Sequence, residues 1–364
     1  MSVPFDLPAL AETFRRFARL QSGSSDLCRI ICERIAEDER VLRLMEVTPT
    51  EQRFPMLLLA VVHDLLLEGA AHPLRAFYLS LGGRFPNEAD LGQTFVDFCM
   101  QHAHIITAQL KHRATQTNEI GRVAALRPVL AQLSADGVSE IAIAEFGASA
   151  GLNLLLDQYE VRYTGGIVAG PGDPAVSIAC ELRGMPPPRA FLEGQLPKIV
   201  YRAGLDRRPV RLDSESEVRW LLACVWPDQI DRFRRTEAAI QVAKHEHLSV
   251  TAGLLPDDVP AFLAKVPREP HLCILTTWVL AYLSEEERTI LDEHVSAVAQ
   301  TRDLTWILAE SPRFLGAHAE SRAAHFGVHT DGTLLMQRSY RDGARTDTAL
   351  ADMHGHATWM RWFS

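Results

Sequence analysis

The sequence predicts an α/β fold for the larger, C-terminal part of the chain, preceded by an all-helical N-terminal part. Residues 1–134 carry apolar residues at helical spacing, without a convincing alternating strand pattern. From residue 135 onward, strand-like apolar runs alternate with helical segments, which is typical of a mainly parallel sheet. Two strand-like runs, 333–340 and 358–363, close the chain and predict an antiparallel end to that sheet. We therefore expect a helical domain or cap over residues 1–134 and an α/β domain over 135–364.

Composition and charge restrict the class of protein. The 364 residues carry a formal net charge of −9, which argues against a general nucleic-acid binder. The run 56–67 is very apolar, but His63 and Asp64 interrupt it and it is too short to span a bilayer, so we expect a buried helix and no membrane partner. Residues 1–20 lack the apolar core of an export signal, and the cysteines form no Cys-x-x-Cys pair. We expect reduced thiols and a cytoplasmic protein.

The α/β domain is organised around the stretch 141–153. Residues 141–144 form an apolar run that predicts a buried parallel strand. Three small residues spaced by two, Gly147, Ser149 and Gly151, then predict a tight turn, and the apolar run 152–157 predicts the start of a helix. Because such a turn leaves the backbone accessible and N–H groups unpaired, we expect a ligand to bind there.

The elements after this turn continue the alternation. The segment 161–183 is rich in glycine and proline and predicts an inserted hairpin. Strands are expected at 199–206, 247–253, 271–277 and 304–310, with helices at 214–226, 230–245, 257–266 and from Ser284 onward.

The turn is compatible with two different chemistries. As Gly-x-Ser-x-Gly, it is a nucleophile elbow with Ser149 as the attacking group, and an acid such as Asp303 with His354 or His356 would complete a triad in hydrolase order. With Glu145 included, as Glu-x-Gly-x-Ser-x-Gly, it resembles the first motif of class I methyltransferases, which bind S-adenosylmethionine. A hydrolase elbow follows several strands, and no strand is predicted upstream, so the second interpretation is favoured. A plain strand-to-helix turn is the third alternative.

The resemblance to class I methyltransferases covers about residues 135–364 and implies a Rossmann-like sheet of seven strands, mainly parallel with an antiparallel last strand. By position in the motif, Glu145 would meet the amino group of the methionine part of S-adenosylmethionine. Asp206 would accept hydrogen bonds from the ribose, with Glu181 as the alternative acid. The turn residues that would line the cofactor are Gly147, Ala148, Ser149 and Gly151.

The polar segment 113–122 lies just upstream of the first strand. Its amide and carboxylate groups suit the zwitterionic tail of such a cofactor, and Arg113 or Arg122 could pair with the tail's carboxylate. The side chains predicted to contact the cofactor are Gln116, Asn118 and Glu119. The alternative is that this segment only caps the helix that follows it.

The resemblance also suggests an acceptor site. Methyl transfer from a sulfonium mainly requires positioning of the acceptor and exclusion of water. The loop after the fourth strand of the domain would supply the substrate pocket, from Thr276, Thr277, Trp278 and Tyr282. The Asn-Pro-Pro-Tyr signature of amino-group and nucleic-acid methyltransferases is absent, which with the acidic charge favours a small-molecule substrate. A non-catalytic cofactor-binding or scaffold protein remains the other alternative.

Three His-x-His pairs, at 102 and 104, 245 and 247, and 354 and 356, raise the question of a metal. Two histidines two positions apart on a helix point to different faces, and the other pairs have no evident third ligand, so we expect no metal site.

The whole chain also resembles a bacterial family of unknown function. The segments that carry this resemblance are 116–119, 145–157 and 220–229. It implies a helical domain joined to a methyltransferase-like domain, without an established activity.

Overall fold

The computed structural model describes residues 5–21, 23–84, 88–246 and 248–363. The chain forms two compact units, which we call the helical unit (Met1–Thr117 and Leu212–Glu237) and the sheet unit (Asn118–Arg211 and Ala238–Ser364). The structure thus assigns residues 118–134 to the sheet unit and residues 212–237 to the helical unit. The boundary expected near residue 134 had placed residues 118–134 in the helical domain and residues 212–237 in the α/β domain.

The helical unit is built from amphipathic and apolar helices around one core. They are α1 (Leu7–Gln21), α2 (Asp26–Ile35), α3 (Glu39–Leu44), α4 (Pro55–Glu68), α5 (Glu88–Gln101), α6 (Ala103–His112) and α9 (Glu215–Ala223), with α10 (Ile230–His245) beginning in this unit. Ser25 caps α2 by accepting a hydrogen bond from Cys28 N, and Pro55 occupies the first turn of α4. The buried apolar helix expected over 56–67 is confirmed. None of the described helices has the length and apolarity needed to cross a bilayer.

Polar groups buried in the helical unit connect α4 to α9. Asp64 Oδ1 accepts a hydrogen bond from Arg219 Nε at 2.9 Å, and His63 Nδ1 lies 3.1 Å from Ala223 O. Burial lowers the pKa of His63 to about 4, so the ring is neutral at physiological pH. Trp220 is buried in the same core. The segment 212–237 therefore completes the helical core.

The sheet unit contains one large mixed sheet. Among the described residues its strands are β1 (Glu140–Phe146), β2 (Glu160–Tyr163), β3 (Ile167–Ala169), β4 (Ser177–Leu182), β5 (Lys198–Asp206), β6 (Ser249–Ala252), β7 (His271–Thr277), β8 (Leu304–Glu310), β9 (Thr333–Arg341), β10 (Ala344–Met353) and β11 (Trp359–Trp362). Their order across the sheet is β3-β2-β4-β11-β10-β9-β8-β7-β1-β5-β6. The expected mixed α/β architecture with a mostly parallel sheet is confirmed, although the sheet has eleven strands where seven were expected.

Helices of the sheet unit connect these strands. They are α7 (Val123–Ala135), α8 (Arg189–Leu192), α11 (Val259–Leu263), α12 (Glu285–Ala299) and α13 (Ala317–His325). Ser284 and Glu287 form a capping box at the start of α12, as the acidic first turn predicted.

The five strands β6, β5, β1, β7 and β8 run parallel to one another. From β1 the chain builds the sheet first in one direction, through β5 and β6, and then in the other, through β7 and β8. The direction of strand addition reverses at β1. At such a reversal the connections leave the carboxyl ends of two neighbouring strands in opposite directions and open a crevice between them.

The remainder of the sheet differs from the expectation in two ways. The segment 161–183 does contain a hairpin, β2 and β3, but β4 follows and pairs with both β2 and β11. The two closing runs at 333–340 and 358–363 do not pair with each other, because the unexpected strand β10 lies between them and pairs antiparallel with both β9 and β11.

Candidate functional site

The register of the central strands brings three sequence-distant segments together at the crevice beside β1. Phe146, the last residue of β1, pairs with Leu205 of β5 on one side and with Thr276 of β7 on the other. Gly147, which follows β1, and Thr277, the last residue of β7, therefore lie side by side. We call this region the β1 edge.

The turn after β1 is tight and left-handed at three residues. The φ angles of Gly147, Ser149 and Gly151 are 72°, 53° and 74°. Two of them are glycines, which adopt this conformation readily, whereas Ser149 is strained. The α-helix expected after the turn is not formed: residues Leu152–Gln158 form a 3-10 segment that is kinked at Leu155. β2 follows almost at once, which leaves no room for a longer helix.

Close packing holds the turn against its neighbours. A Cβ atom on Gly147 would lie 2.5 Å from Val279 Cγ2, so the space at this glycine is filled by the loop after β7. On β5, a Cβ atom on Gly204 would lie 2.5 Å from the Cβ of Ala148. We expected Gly147 to leave space for a ligand; in the structure it leaves space for Val279.

The N–H groups of the turn are bonded within the sheet unit. Asp206 Oδ2 accepts from Ser149 N at 2.7 Å. Asn118 Oδ1 accepts from Ala150 N at 3.2 Å and from Leu152 N at 3.0 Å. Because these donors are used, the turn does not present the unpaired N–H groups that the sequence analysis expected. Asp206 and Asn118 thus hold the turn in place, one from each side.

Glu145 is a buried acid at the end of β1. Its Oε1 accepts a hydrogen bond from Asn153 Nδ2 at 2.9 Å, and both side chains are buried. Burial raises the pKa of Glu145 to about 8, although the Asn153 hydrogen bond and the positive charge of Arg122 oppose the shift. The carboxyl group is therefore mostly protonated at neutral pH.

Three oxygen atoms of this stretch have no hydrogen-bond donor among the described residues: Glu145 Oε2, Ser149 Oγ and Asn153 Oδ1. All three are sealed from solvent, and buried polar atoms are rarely left without partners. The turn therefore has spare hydrogen-bond acceptors.

A second buried acid lies at the end of β8. Glu310 Oε1 accepts from Val279 N at 2.8 Å and from Leu280 N at 3.3 Å, which fixes the loop after β7. Burial raises the pKa of Glu310 to about 7, against the lowering effect of these bonds and of the Arg122 charge. Its Oε2 has no partner among the residues that the structure describes.

Arg122 supplies positive charge at the β1 edge. Its Nη1 donates to Thr277 O at 2.9 Å, and its Nε donates to Gly355 O at 3.0 Å. The guanidinium lowers the pKa of both Glu145 and Glu310, so it acts electrostatically on the two acids at once. Arg122 also ties the end of β7 to the loop between β10 and β11.

Different residues of the polar segment 113–122 have different structural roles. Glu119 Oε1 accepts from Gly121 N at 2.8 Å, which caps the 3-10 segment Ile120–Arg122. Gln116 belongs to the helical unit, where its N–H donates to Cys224 Sγ at 3.5 Å. The capping role that was the alternative for this segment is therefore present at Glu119.

The residues expected to form the acceptor pocket have different environments. Thr276 is fully buried, and its Oγ1 accepts from Trp306 Nε1 at 3.2 Å. Trp278 has a φ of 60° and donates from Nε1 to Thr333 Oγ1 at 2.9 Å. Tyr282 is 70% exposed. Thr277 is bonded to Arg122. Thr276 and Thr277 lie at the end of β7, and Trp278 and Tyr282 lie after it.

Other residues of the sequence analysis lie away from the turn. Glu181 is on β4, four strands beyond β8 in the sheet, and pairs with Arg183 at 2.8 Å. Asp303 precedes the first residue of β8, at the opposite edge of the parallel strands from Ser149. The length of a seven-residue strand, roughly 20 Å, separates the two edges. No group of three or more His, Cys, Asp and Glu side chains within the described ranges could hold a metal ion, and His247 lies outside those ranges.

Asn153 and Glu310 were not singled out from the sequence. Asn153 follows the glycine turn by two residues, and only the structure shows that it returns to contact Glu145. Glu310 ends the apolar run 304–310. An acid directly after a buried parallel strand was a usable signal, because such strands end at the ligand-binding edge of a sheet.

Comparison with known proteins places the chain in a bacterial family. Residues 11–362 match the family described as "Uncharacterized protein conserved in bacteria (DUF2332)". No curated protein matches the sequence. Among solved structures, LpoA of Haemophilus influenzae is similar at 12% identity over 94% of this chain and 82% of that one, with a TM-score of 0.15. A TM-score this low carries no argument about fold.

Proposed function

The chain belongs to the DUF2332 family, and we propose that it binds S-adenosylmethionine at the β1 edge and transfers the methyl group to a small-molecule acceptor. The observation that carries the proposal is the set of buried acceptor atoms on Glu145, Ser149 and Asn153. A primary ammonium group has three N–H donors and one positive charge. The methionine part of the cofactor carries such a group. Its charge would ionise Glu145, and its donors would satisfy acceptors that are otherwise costly to bury.

The topology supports a nucleotide-type ligand at this place. Without the insertion that contains β2, β3 and β4, the parallel strands occur in the order 3-2-1-4-5 across the sheet. Sheets of this order bind nucleotide cofactors in the crevice where the order reverses, at the carboxyl ends of the strands. In this chain the corresponding place lies between the glycine turn and the loop after β7, which pack against each other at Gly147 and Val279.

Asp206 supports the same ligand. It ends β5, the strand next to β1, and its carboxylate accepts hydrogen bonds from Ser149 N and Arg208 N, both at 2.7 Å. A carboxylate can accept about four hydrogen bonds. We infer that its remaining lone pairs accept the ribose hydroxyls, while the bond to Ser149 N keeps the acid and the turn in one geometry.

Backbone strain marks both sides of the crevice. Ser149 and Trp278 have positive φ angles, and they follow β1 and β7, respectively. Strain of this kind is frequent at ligand-binding sites, where the surrounding structure maintains it. It supports a site that is preformed before the ligand binds.

The position of Asp303 favours methyl transfer over the serine hydrolase. A triad needs the acid, histidine and serine within hydrogen-bond reach of one another. Asp303 lies at the far edge of the parallel strands, where it accepts from Asp342 N at 3.0 Å. Ser149 Oγ has no histidine partner among the described residues.

The bound cofactor would supply an activated methyl group, and the protein would position the cofactor and the acceptor and exclude water. Glu145 and Asn153 would hold the amino end, and Asp206 the ribose. The loop from Thr277 to Leu280, fixed by Arg122 and Glu310, would border the place where the acceptor approaches. The buried edge would exclude water from the sulfonium.

Calorimetry with S-adenosylhomocysteine tests the proposal. Wild-type protein should bind the ligand and release a proton at pH 7, because the ammonium ionises Glu145; titrations in buffers of different ionisation enthalpy measure that proton. Glu145→Gln should weaken binding about tenfold to a hundredfold and abolish the proton release, since a charge-assisted contact is worth about 1.5–3 kcal/mol.

Glu160→Gln is the matched control. Glu160 is also a buried glutamate, but it lies on β2 and pairs with Arg162. Its replacement should leave affinity and proton release unchanged. A folded wild-type protein that does not bind the ligand would contradict the proposal, and labelling of Ser149 by a fluorophosphonate would support the hydrolase instead.

A further inference from the structure

The guanidinium of Arg127 is a buried charge without a counterion. Arg127 lies on α7 and is only 6% exposed. It forms no hydrogen bond or ion pair with any described residue. Buried arginines are almost always paired, because the charge loses its hydration when it enters the protein. The unpaired state of Arg127 therefore requires a physical explanation.

The neighbouring groups do not neutralise it. The carboxylate whose charge acts on Arg127 is that of Asp157, and its two oxygens accept hydrogen bonds from Arg202 at 2.7 and 2.8 Å. Tyr163 donates its hydroxyl to Ala124 O at 2.7 Å, and burial raises the pKa of Tyr163, so it is not a phenolate. Arg127 is therefore left without an acid of its own, because the carboxylate of Asp157 is bonded to Arg202.

Arg127 keeps its charge in this environment. Burial lowers the pKa of the guanidinium, but arginine stays protonated in proteins. Proteins avoid such a cost either by pairing the arginine or by replacing it with an apolar residue of similar shape. Here the surrounding residues of α7 are apolar and buried, so an apolar side chain would fit the helix face as well.

The terminal nitrogens of Arg127 remain accessible. Its Nε is buried and has no hydrogen-bond partner. The two terminal nitrogens also make no hydrogen bond, but they keep some exposure to solvent. These two nitrogens form the planar fork that binds carboxylates and phosphates through two parallel hydrogen bonds. The exposed part of the side chain is thus the part that recognises an oxyanion.

We propose that Arg127 is the base of a second binding site, for one small oxyanion, either a phosphate group or a carboxylate group. The restricted exposure of the side chain suits a single oxyanion group, which would neutralise the excess charge and use the free donors. The inference does not depend on the cofactor, because no hydrogen bond or ion pair among the described residues joins Arg127 to Glu145 or to the glycine turn. The ligand could be a free anion or the anionic end of a metabolite.

Thermal unfolding with inorganic phosphate or acetate, at ionic strength fixed with chloride, tests the site. At about ten times its Kd, the anion that fits should raise the melting temperature of the wild type by about 2–5 °C. Arg127→Met should remove this shift. Without anion, Arg127→Met should melt at the same temperature as the wild type or higher, because it removes an uncompensated charge. Arg127→Lys should retain a smaller shift, since it keeps the charge but loses the fork.

Arg338→Met is the matched control. Arg338 is also 6% exposed, but it pairs with Asp292 at 2.5 Å and with Asp347 at 3.4 Å. Its replacement should lower the melting temperature and leave the anion-dependent shift intact. A response to phosphate alone or to acetate alone identifies the oxyanion. The proposal is overturned if neither anion stabilises the wild type, if Arg127→Met keeps the shift, or if Arg127→Met alone lowers the melting temperature markedly.

Discussion

Two buried acids, one in each unit, differ in whether a cationic side chain is hydrogen-bonded to them. Asp64 in the helical unit accepts a hydrogen bond from the guanidinium of Arg219, which neutralises it with a residue of the same unit. Among the described residues, Glu145 of the sheet unit has only the neutral amide of Asn153 as a hydrogen-bond partner, and burial raises its pKa although the charge of Arg122 opposes the shift. A buried acid with a cation of its own maintains the fold, whereas one without a cation is suited to receive the cation from a ligand.

Removal of the cation in the helical unit should have the largest effect. Arg219→Met leaves the fully buried Asp64 without its counterion, which should lower the free energy of unfolding by about 3–5 kcal/mol. Denaturant titration measures the loss. Glu68→Gln, which removes only the exposed partner of Arg219, should cost less than about 1 kcal/mol. Equal effects of the two substitutions would contradict the role assigned to Asp64.

Neutralisation of the acid at the β1 edge should have the opposite sign. The folded-state pKa of Glu145 is raised from 4.5 to about 8. Between these pH values the folded state holds a proton that the unfolded state releases, so the wild type loses stability as pH rises, by up to about 1.4 kcal/mol per pH unit. Glutamine does not titrate. Glu145→Gln should therefore match the wild type near pH 4 and be more stable by about 2–4 kcal/mol above pH 8.

Denaturant titrations at several pH values, without ligand, measure this difference. Glu160→Gln serves again as the control for the replacement of a buried glutamate by glutamine. A Glu145→Gln protein that is less stable than the wild type at pH 8 would show that Glu145 maintains the fold as Asp64 does.

Substitutions at the glycine turn measure how tightly the β1 edge is packed. Gly147→Ala places a Cβ against Val279 at a positive φ angle and should cost about 2–3 kcal/mol. Val279→Ala in the same protein should recover about 1 kcal/mol of that loss, because it removes the closest atom, Cγ2 at 2.5 Å, but leaves the Cβ of residue 279 at 2.8 Å and the backbone strain. A double-mutant cycle measures the coupling. Additive effects would contradict the contact between Gly147 and Val279.

The sequence predicted the elements that have a clear apolar period or a turn motif. The helix around His63, the glycine turn and the strands on both sides of it all follow from local patterns. The prediction of an α-helix from the run 152–157 was wrong, because residues 152–156 are all buried and apolar density without a helical period does not distinguish an α-helix from the kinked 3-10 segment that forms. β10 was missed because its first half is largely exposed and polar, and only its second half is buried.

Contacts between distant segments of the chain could not be predicted, because local sequence patterns do not show which segments meet in the fold. Trp220 joins the core of the helical unit although it lies between two strands of the sheet unit. Asp206 was expected to meet a ribose, but its bond to Ser149 N, across 57 positions, is visible only in the fold. A lone arginine on an apolar helix, such as Arg127, can be seen in the sequence, but its lack of a partner cannot.

Asn118 has the smallest expected effect and distinguishes the two interpretations of the polar segment 113–122. In the structure its Oδ1 accepts from two N–H groups of the turn, at Ala150 and Leu152. Asn118→Ala leaves both donors buried without an acceptor, which should lower the free energy of unfolding by about 1–2 kcal/mol. Affinity for S-adenosylhomocysteine should fall less than tenfold, through loosening of the turn alone. Asn118→Asp, which keeps the acceptor, should restore most of the stability. If instead affinity falls by more than tenfold while the melting temperature is unchanged, Asn118 contacts the ligand directly, as the sequence alone predicted.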